Sequence, residues 1–149
     1  MPMHFRAADS GDLDALVELV KAFYEEEHIA FDRAGTTDAL GELFSNPELG
    51  EVSFIEVAGV TIGYAIVTFG FILEFGGRQL ILDEFYVRPA FRGQGFGREA
   101  LQRIESVARA RGFKVLRLEV TRANQQAIAL YEKAGFERHD RFTMTKVLG

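Results

Sequence analysis

The stretch LDEFYVRPAFRGQGFG, Leu82 to Gly97, decides how the chain folds. It runs from an apolar, strand-like segment through a proline into glycines on alternate positions, Gly93, Gly95 and Gly97, and then into a helical pattern. Glycine at that density weakens regular structure, so its place between a strand and a helix calls for a reason. The first amides of a helix have no intrahelical acceptor, and the helix dipole adds partial positive charge, which together suit a phosphate. A β-carbon there would hold a phosphate away from the amides or forbid the φ > 0 conformations that aim them. A glycine-rich segment can also do no more than turn the chain. Two familiar phosphate motifs fit poorly. Arg98-Glu99 follows Gly97 where a P-loop needs lysine and a hydroxyl, and the glycines alternate late in the chain, where a dinucleotide fingerprint needs GxGxxG after a first strand.

Outward from this stretch the elements alternate. HFRAA (4–8) reads as a short strand, and Asp9 or Ser10 can cap a helix whose apolar positions Leu13, Leu16, Val17, Val20 and Phe23/Tyr24 keep helical spacing. TTDALGELF (36–44) is a weaker helix, stopped by NPELG. EVSFIEV (51–57), an Ala-Gly turn, TIGYAIVTFGFILEF (61–75), a Gly76-Gly77 turn and RQLILDEFYV (78–87) read as consecutive strands. The helix opened by the glycines runs to about Arg111, with Ala100, Leu101, Ile104, Val107 and Ala108 on one stripe and Gly112 past its end. KVLRLEV (114–120) is the next strand, NQQAIALYEKAG (124–135) the next helix, and FERHDRFTMTKVL (136–148) is expected to close the fold as a hairpin. The order β-α-α-β-β-β-α-β-α-β-β describes a mixed α/β, or α+β, architecture on one mixed sheet, with a single domain over residues 1–149.

Composition narrows the function classes. With 149 residues, 48% of them hydrophobic, the chain can build a full core without staples. No apolar run reaches the ~18 residues that span a bilayer, and MPMHFRAAD lacks the layout of a secretory signal, so a cytoplasmic protein without membrane contact is expected. The absence of cysteine removes disulfides, thiolate zinc sites and a thiol nucleophile. The histidines, His4, His28 and His139, have no paired-ligand spacing, so no metal site is expected. The net charge of −5 is unevenly spread. Residues 1–87 hold 16 acids against 4 Lys/Arg, whereas residues 88–117 hold 8 Lys/Arg against 2 acids. A local basic patch on an acidic chain suits capture of one small polyanion and argues against nucleic acid as a partner.

The motifs resemble one family. RGQGFG, Arg92 to Gly97, is similar to the (Q/R)xxGxG/A signature of the GNAT superfamily of acetyl-coenzyme A-dependent N-acetyltransferases. LDEFYV before it resembles that family's central strand, and NQQAIALYEKAGF, Asn124 to Phe136, resembles its Asn-xx-Ala-xxx-Tyr-xxx-Gly-Phe segment. The pieces lie in the family's order over roughly residues 52–137, and FRAADSGDLDALVELV resembles its opening strand and helix.

The resemblance implies acetyl-CoA as co-substrate and an amine as acceptor, with an N-acetyl transfer by direct attack in a ternary complex. It assigns the coenzyme pyrophosphate to the amides of Gly93, Gln94, Gly95, Phe96, Gly97 and Arg98, with the side chains of Arg92 and Arg98 near enough to contact phosphates. The pantetheine is expected to pair with Phe85, Tyr86 and Val87 as an added strand would, and to contact Asn124 and Ala127. The Val87 amide can stabilise the oxyanion. Tyr131 matches the tyrosine that protonates the coenzyme sulfur; core packing is its simpler role. Three carboxylates compete for the role of base, acting directly or through water. Glu84 ranks first, since LDEFYV resembles the acidic stretch of the branch that acetylates polyamines and diamines. Glu119, in RLEV, resembles the glutamate of the branch that acetylates ribosomal-protein N-termini, and Asp83 ranks third. Adjacency on a strand predicts that Asp83 and Glu84 point to opposite faces, with at most one toward the acceptor. The acidic run Glu25, Glu26 and Glu27, followed by HIAFDRAG, is expected near the acceptor, unless it is a solvated helix face. The rival reading is a non-catalytic acetyl-CoA sensor, and a homodimer is possible.

Overall fold

The computed structural model describes residues 2–149. Its strands are β1 (Met3–Ala7), β2 (Gly50–Val57), β3 (Val60–Ile72), β4 (Gly77–Val87) and β5 (Val115–Leu118), and its α-helices are α1 (Leu13–Glu27), α2 (Arg33–Ser45), α3 (Phe96–Ala110) and α4 (Gln125–Lys133). The strands form one sheet in the order β1-β2-β3-β4-β5. All neighbours are antiparallel except β4 and β5, which are parallel and joined through α3, as a parallel crossover requires.

Local signals place the first helix. Asp9 accepts from the Gly11 amide at 2.9 Å while Asp12 accepts from the Asp9 amide at 3.0 Å, a reciprocal cap that starts one short turn of 3-10 helix ahead of α1. Helices then cover both faces of the sheet. On one face Leu16, Val17 and Val20 of α1 and Leu40 of α2 bury against Phe54, Tyr64, Ile66 and Tyr86. On the other, Leu101, Ile104 and Ala108 of α3 pack on Leu80, Leu82 and Ala65, with Tyr131 of α4 at the margin. Each fully buried large side chain is worth about 1.5–3 kcal/mol, so each helix is held chiefly by its apolar face.

Two irregularities position everything that follows. The first is a bulge in β4: Ile66 of β3 faces Glu84, and the next residue, Val67, faces Leu82, which leaves Asp83 as an extra residue. Leu80 and Leu82 belong to the α3 face, whereas Tyr86 packs on the α1 face and Glu84 bonds to α1. The parity of side chains switches at the bulge, so Asp83 and Glu84 share a face. The expected opposite placement is thereby corrected: strict alternation holds only in a strand without an inserted residue. The second irregularity is a splay. β5 pairs with β4 only over Gln79–Leu82, so from Asp83 to Val87 the central strand has β3 on one side and no strand on the other.

The closing hairpin expected over residues 136–148 is absent. After α4 the chain continues without strand pairing, and residues 141–149 are exposed. β5 is only 4 residues long, shorter than the KVLRLEV stretch suggested, and offers little edge to build on. The tail is moored by side chains instead: Arg141 pairs with Glu74, and Thr143 donates to Glu119 at 3.1 Å.

Candidate active site

The glycine loop has the predicted geometry. Gly93 (φ 75°) and Gly95 (φ 86°) both adopt left-handed backbone, and nothing lies within 4 Å of where a Cβ would stand on either. Conformation, rather than crowding inside the chain, therefore demands glycine at these positions. Gly97 differs: a Cβ there would meet Leu130 at 3.4 Å, an ordinary contact. Gly95 is the N-cap of α3, no side chain caps the helix, and the first-turn amides are left for an external acceptor. Arg98 is exposed and makes no ion pair among the described residues.

The splayed edge of β4 begins beside this loop. Arg88 donates its N–H to Ile62 O at 2.7 Å, on the β3 side. Because N–H directions alternate along a strand, the Val87 amide points the other way, into the gap between β4 and β5. A linear, amide-bearing group can pair with that open edge while an anionic group rests on the amides of the loop.

The side chain of Arg92 is already engaged. It donates to Val87 O at 2.8 Å and to Glu26 at 2.7 Å, and the Glu26 hydrogen bond holds its guanidinium above the usual arginine range. Asn124 is engaged too, capping α4 by accepting from the Ala127 amide at 3.1 Å and donating to Glu27 at 2.6 Å. Glu26 and Glu27 of the acidic run thus bind groups expected to serve the coenzyme, whereas the exposed Glu25 lies 3.9 Å from Lys21. None of the three glutamates lines the cavity between α1, α2 and the sheet. The downstream part fares differently, since Ala30, Asp32 and Gly35 of HIAFDRAG do line the cavity.

That cavity, about 350 Å³, lies between α1, α2 and the β3–β4 pair, and both Asp83 and Glu84 open onto it. Glu84 is the centre of a buried cluster. Its two carboxylate oxygens accept from Tyr24 of α1 and from Tyr64 of β3, the latter at 2.7 Å. Burial raises the Glu84 carboxyl above the ordinary carboxylate range, against the two phenolic hydrogen bonds that lower it. Burial and the adjacent carboxylate raise both phenols. Asp83 is solvent-accessible, but protein on its inner side, and then the Glu119 carboxylate, raise its pKa as well. Glu119 is exposed and held by the tail through Thr143. The sequence marks Tyr24 only as an apolar helix position and Tyr64 only as part of a strand, since a tyrosine on a buried face of either element carries no mark of its partner.

Tyr131 packs edge-on against Phe136, with ring centroids 5.7 Å apart. Burial, with the Glu27 carboxylate adding to it, pushes its phenol up to about 12. The group is an acid that keeps its proton throughout the neutral range. Its hydroxyl donates to no protein group among the described residues. Among the described residues no cluster of His, Asp or Glu is arranged to hold a metal ion, and no helix is long and apolar enough to cross a membrane.

Known proteins resemble the chain in sequence and in fold. A family model described as the acetyltransferase (GNAT) family matches residues 13–136. The chain is similar to the L-methionine sulfoximine/L-methionine sulfone acetyltransferase of Salmonella typhimurium, at 34% identity over 90% of this chain and 80% of that one. It is similar to the thialysine N-epsilon-acetyltransferase of Bos taurus, at 29% identity over 87% of this chain and 81% of that one. An integron cassette protein from the mobile metagenome of Cole Harbour Salt Marsh matches its structure with a TM-score of 0.83 at 32% identity, over 97% of this chain and 90% of that one. The matched family and these relatives are acetyltransferases, which sets the class of the protein. The chain belongs to the GNAT family of acetyltransferases, and acts as an N-acetyltransferase with acetyl-CoA as co-substrate and an amine as acceptor.

Proposed function

We propose that the whole chain works as one domain and brings acetyl-CoA and a primary amine together for direct attack, without an acyl-enzyme. The absence of cysteine supports this route. The observation that carries it is the splay of β4 from β5 at Asp83–Val87, directly ahead of the uncapped helix opened by Gly93 and Gly95. When bound, acetyl-CoA supplies an activated acyl carbon and a thiolate leaving group. The chain's residues supply the rest. The amides from Gly93 to Arg98, with the free Arg98 side chain, hold the pyrophosphate, while Gln94 and Phe96 contribute backbone. The backbone at Phe85, Tyr86 and Val87 aligns the pantetheine, with Asn124 and Ala127 flanking it across the gap, and the Val87 N–H donates to the carbonyl oxygen. Tyr131 donates its proton to the departing sulfur.

Glu84 accepts the amine's proton. The three residues from Glu84 to Val87 span about 10 Å of strand, so the transfer passes through water rather than by direct contact. Asp83 holds the amine as a cation before it is deprotonated, and Glu119, tied to Thr143, stands behind Asp83 as a secondary base. The exposed apolar tail residues Phe142, Met144 and Leu148 support a homodimer, which sedimentation would detect. The decisive experiment for the transfer combines calorimetric titration of acetyl-CoA with thiol release across a panel of amines. Tight binding without amine-stimulated release would favour the sensor reading instead.

A further inference from the structure

The acceptor cavity has a composition that restricts its ligand. Its volume, about 350 Å³, offers room for about a dozen non-hydrogen atoms at roughly 30 Å³ each, a small molecule rather than a folded surface. Its walls are Val20 and Tyr24 of α1, Ala39, Leu40 and Leu43 of α2, and Ile66 of β3. The charged groups that reach it are Asp32, Asp83 and Glu84, and no lysine, arginine or histidine lines it. The cations nearest in sequence are spent elsewhere: Arg33 pairs with Glu18 at 2.8 Å, and Lys21 lies 3.9 Å from Glu25. One feature of the wall could still receive an anion, the N-terminus of α2. Asp32 covers it, since its Oδ2 occupies the space that a Cβ on Gly35 would need, so the protein's own carboxylate already sits over that turn.

A substrate carboxylate placed here would be desolvated beside three acids with no cation to pair with and only the hydroxyls of Thr36 and Thr68 to donate, a costly arrangement for a ligand. A positive centre would meet the opposite situation on two walls of the cavity, beside Asp83 and Glu84 of β4 and beside Asp32 ahead of α2. We propose that the cavity selects a compact primary amine bearing a second positive centre and no carboxylate, with Asp32 as the specificity residue for that second charge. The inference rests on the amine-acetylation reading above. It departs from what the names of the relatives suggest, because methionine sulfoximine and thialysine are amino acids with a free carboxylate.

Four amines of matched length test it: cadaverine, L-lysine (cadaverine with one added carboxylate), L-lysinamide (that carboxylate neutralised) and n-pentylamine (one positive centre). Thiol release from acetyl-CoA gives kcat/KM for each, with acetyl-CoA affinity measured in parallel by calorimetry. The expected order places cadaverine about 100-fold above L-lysine, the scale of leaving one buried polar or charged group without a partner. L-Lysinamide recovers most of that loss, and n-pentylamine falls at least about tenfold below cadaverine, the worth of one retained charge contact. Asp32→Asn narrows the gap between cadaverine and n-pentylamine and leaves acetyl-CoA affinity unchanged. L-Lysine matching cadaverine overturns the selectivity while leaving amine acetylation intact. A gap that survives Asp32→Asn overturns the role of Asp32. Thiol release with none of the four, despite bound acetyl-CoA, overturns the selectivity together with the transfer reading beneath it.

Discussion

The carboxylates of Asp83 and Glu84, neighbours in the chain, open onto one cavity because β4 carries an extra residue between Leu82 and Glu84. The bulge gives this cavity two acids from adjacent positions, and they differ in their partners. Glu84 is locked between Tyr24 and Tyr64 and is suited to holding a proton, while Asp83 is exposed to solvent. Glu84→Gln should lower kcat by about 10²–10⁴-fold, the usual range for a general base. The affinity for acetyl-CoA should stay unchanged by calorimetry, and an equal loss of both would mark Glu84 as structural.

The same substitution should stabilise the fold near neutral pH. A carboxyl raised in the folded state favours folding fully below its ordinary value, about 4.3, and loses that contribution as pH rises through its elevated value. At neutral pH the buried anion is therefore a liability. A glutamine can accept from one phenol and donate to the other, so Glu84→Gln should melt higher than wild type near neutrality. That advantage should shrink as the solution is acidified toward the ordinary carboxylate range.

The glycines of the loop should respond unequally. Gly95→Val forces a left-handed backbone on a β-branched residue, costing about 1–2 kcal/mol or more, and should weaken acetyl-CoA binding before it affects turnover of bound substrate. Gly97→Ala places its methyl in ordinary contact with Leu130 and should bind acetyl-CoA nearly as wild type does. Equal damage at the two positions would contradict a conformational reason for Gly95.

Tyr131→Phe keeps the packing against Phe136 and removes only the acid. Turnover should fall by about 10²-fold or more with acetyl-CoA affinity retained. Since the phenol holds its proton up to about 12, the kcat profile of the wild type should show no alkaline limb from this group across the neutral range.

Glu26→Gln should bring a gain. Arg92 is held by Glu26 in a partly exposed ion pair, and releasing it frees a cation beside the phosphate loop. Acetyl-CoA should bind roughly two- to fivefold more tightly, the worth of such a pair, with the effect fading at high salt. Weaker binding in the variant would mean that Glu26 positions Arg92 instead of competing for it.

Much of this fold was legible because its signals are local. The Asp9 cap, the glycines at Gly76 and Gly95 and the apolar stripe of α3 each act within one turn of chain, and the elements fall where they point. What escaped depends on pairing between distant segments. The bulge at Asp83 exists only relative to Ile66 and Val67 of β3 and leaves no mark in LDEFYV itself. The hydrogen bonds from Tyr24 and Tyr64 to Glu84 join residues 60 and 20 positions apart. The hairpin over 136–148 was inferred from residue preference, but a strand needs an edge to pair with, and preference carries no information about one.

The gap beyond Leu82 has a consequence for the protein as a folded body. A sheet whose central strand lacks a neighbour for five residues is an incomplete one, and amide hydrogens at Phe85 and Val87 should exchange with solvent far faster than those at Leu80 or Leu82. Whatever fills that berth finishes the sheet. At a concentration 100 times its dissociation constant, such a ligand adds about 2.7 kcal/mol to global stability. If acetyl-CoA is that ligand, as proposed, its supply is expected to raise the melting temperature of the chain as well as to feed its reaction.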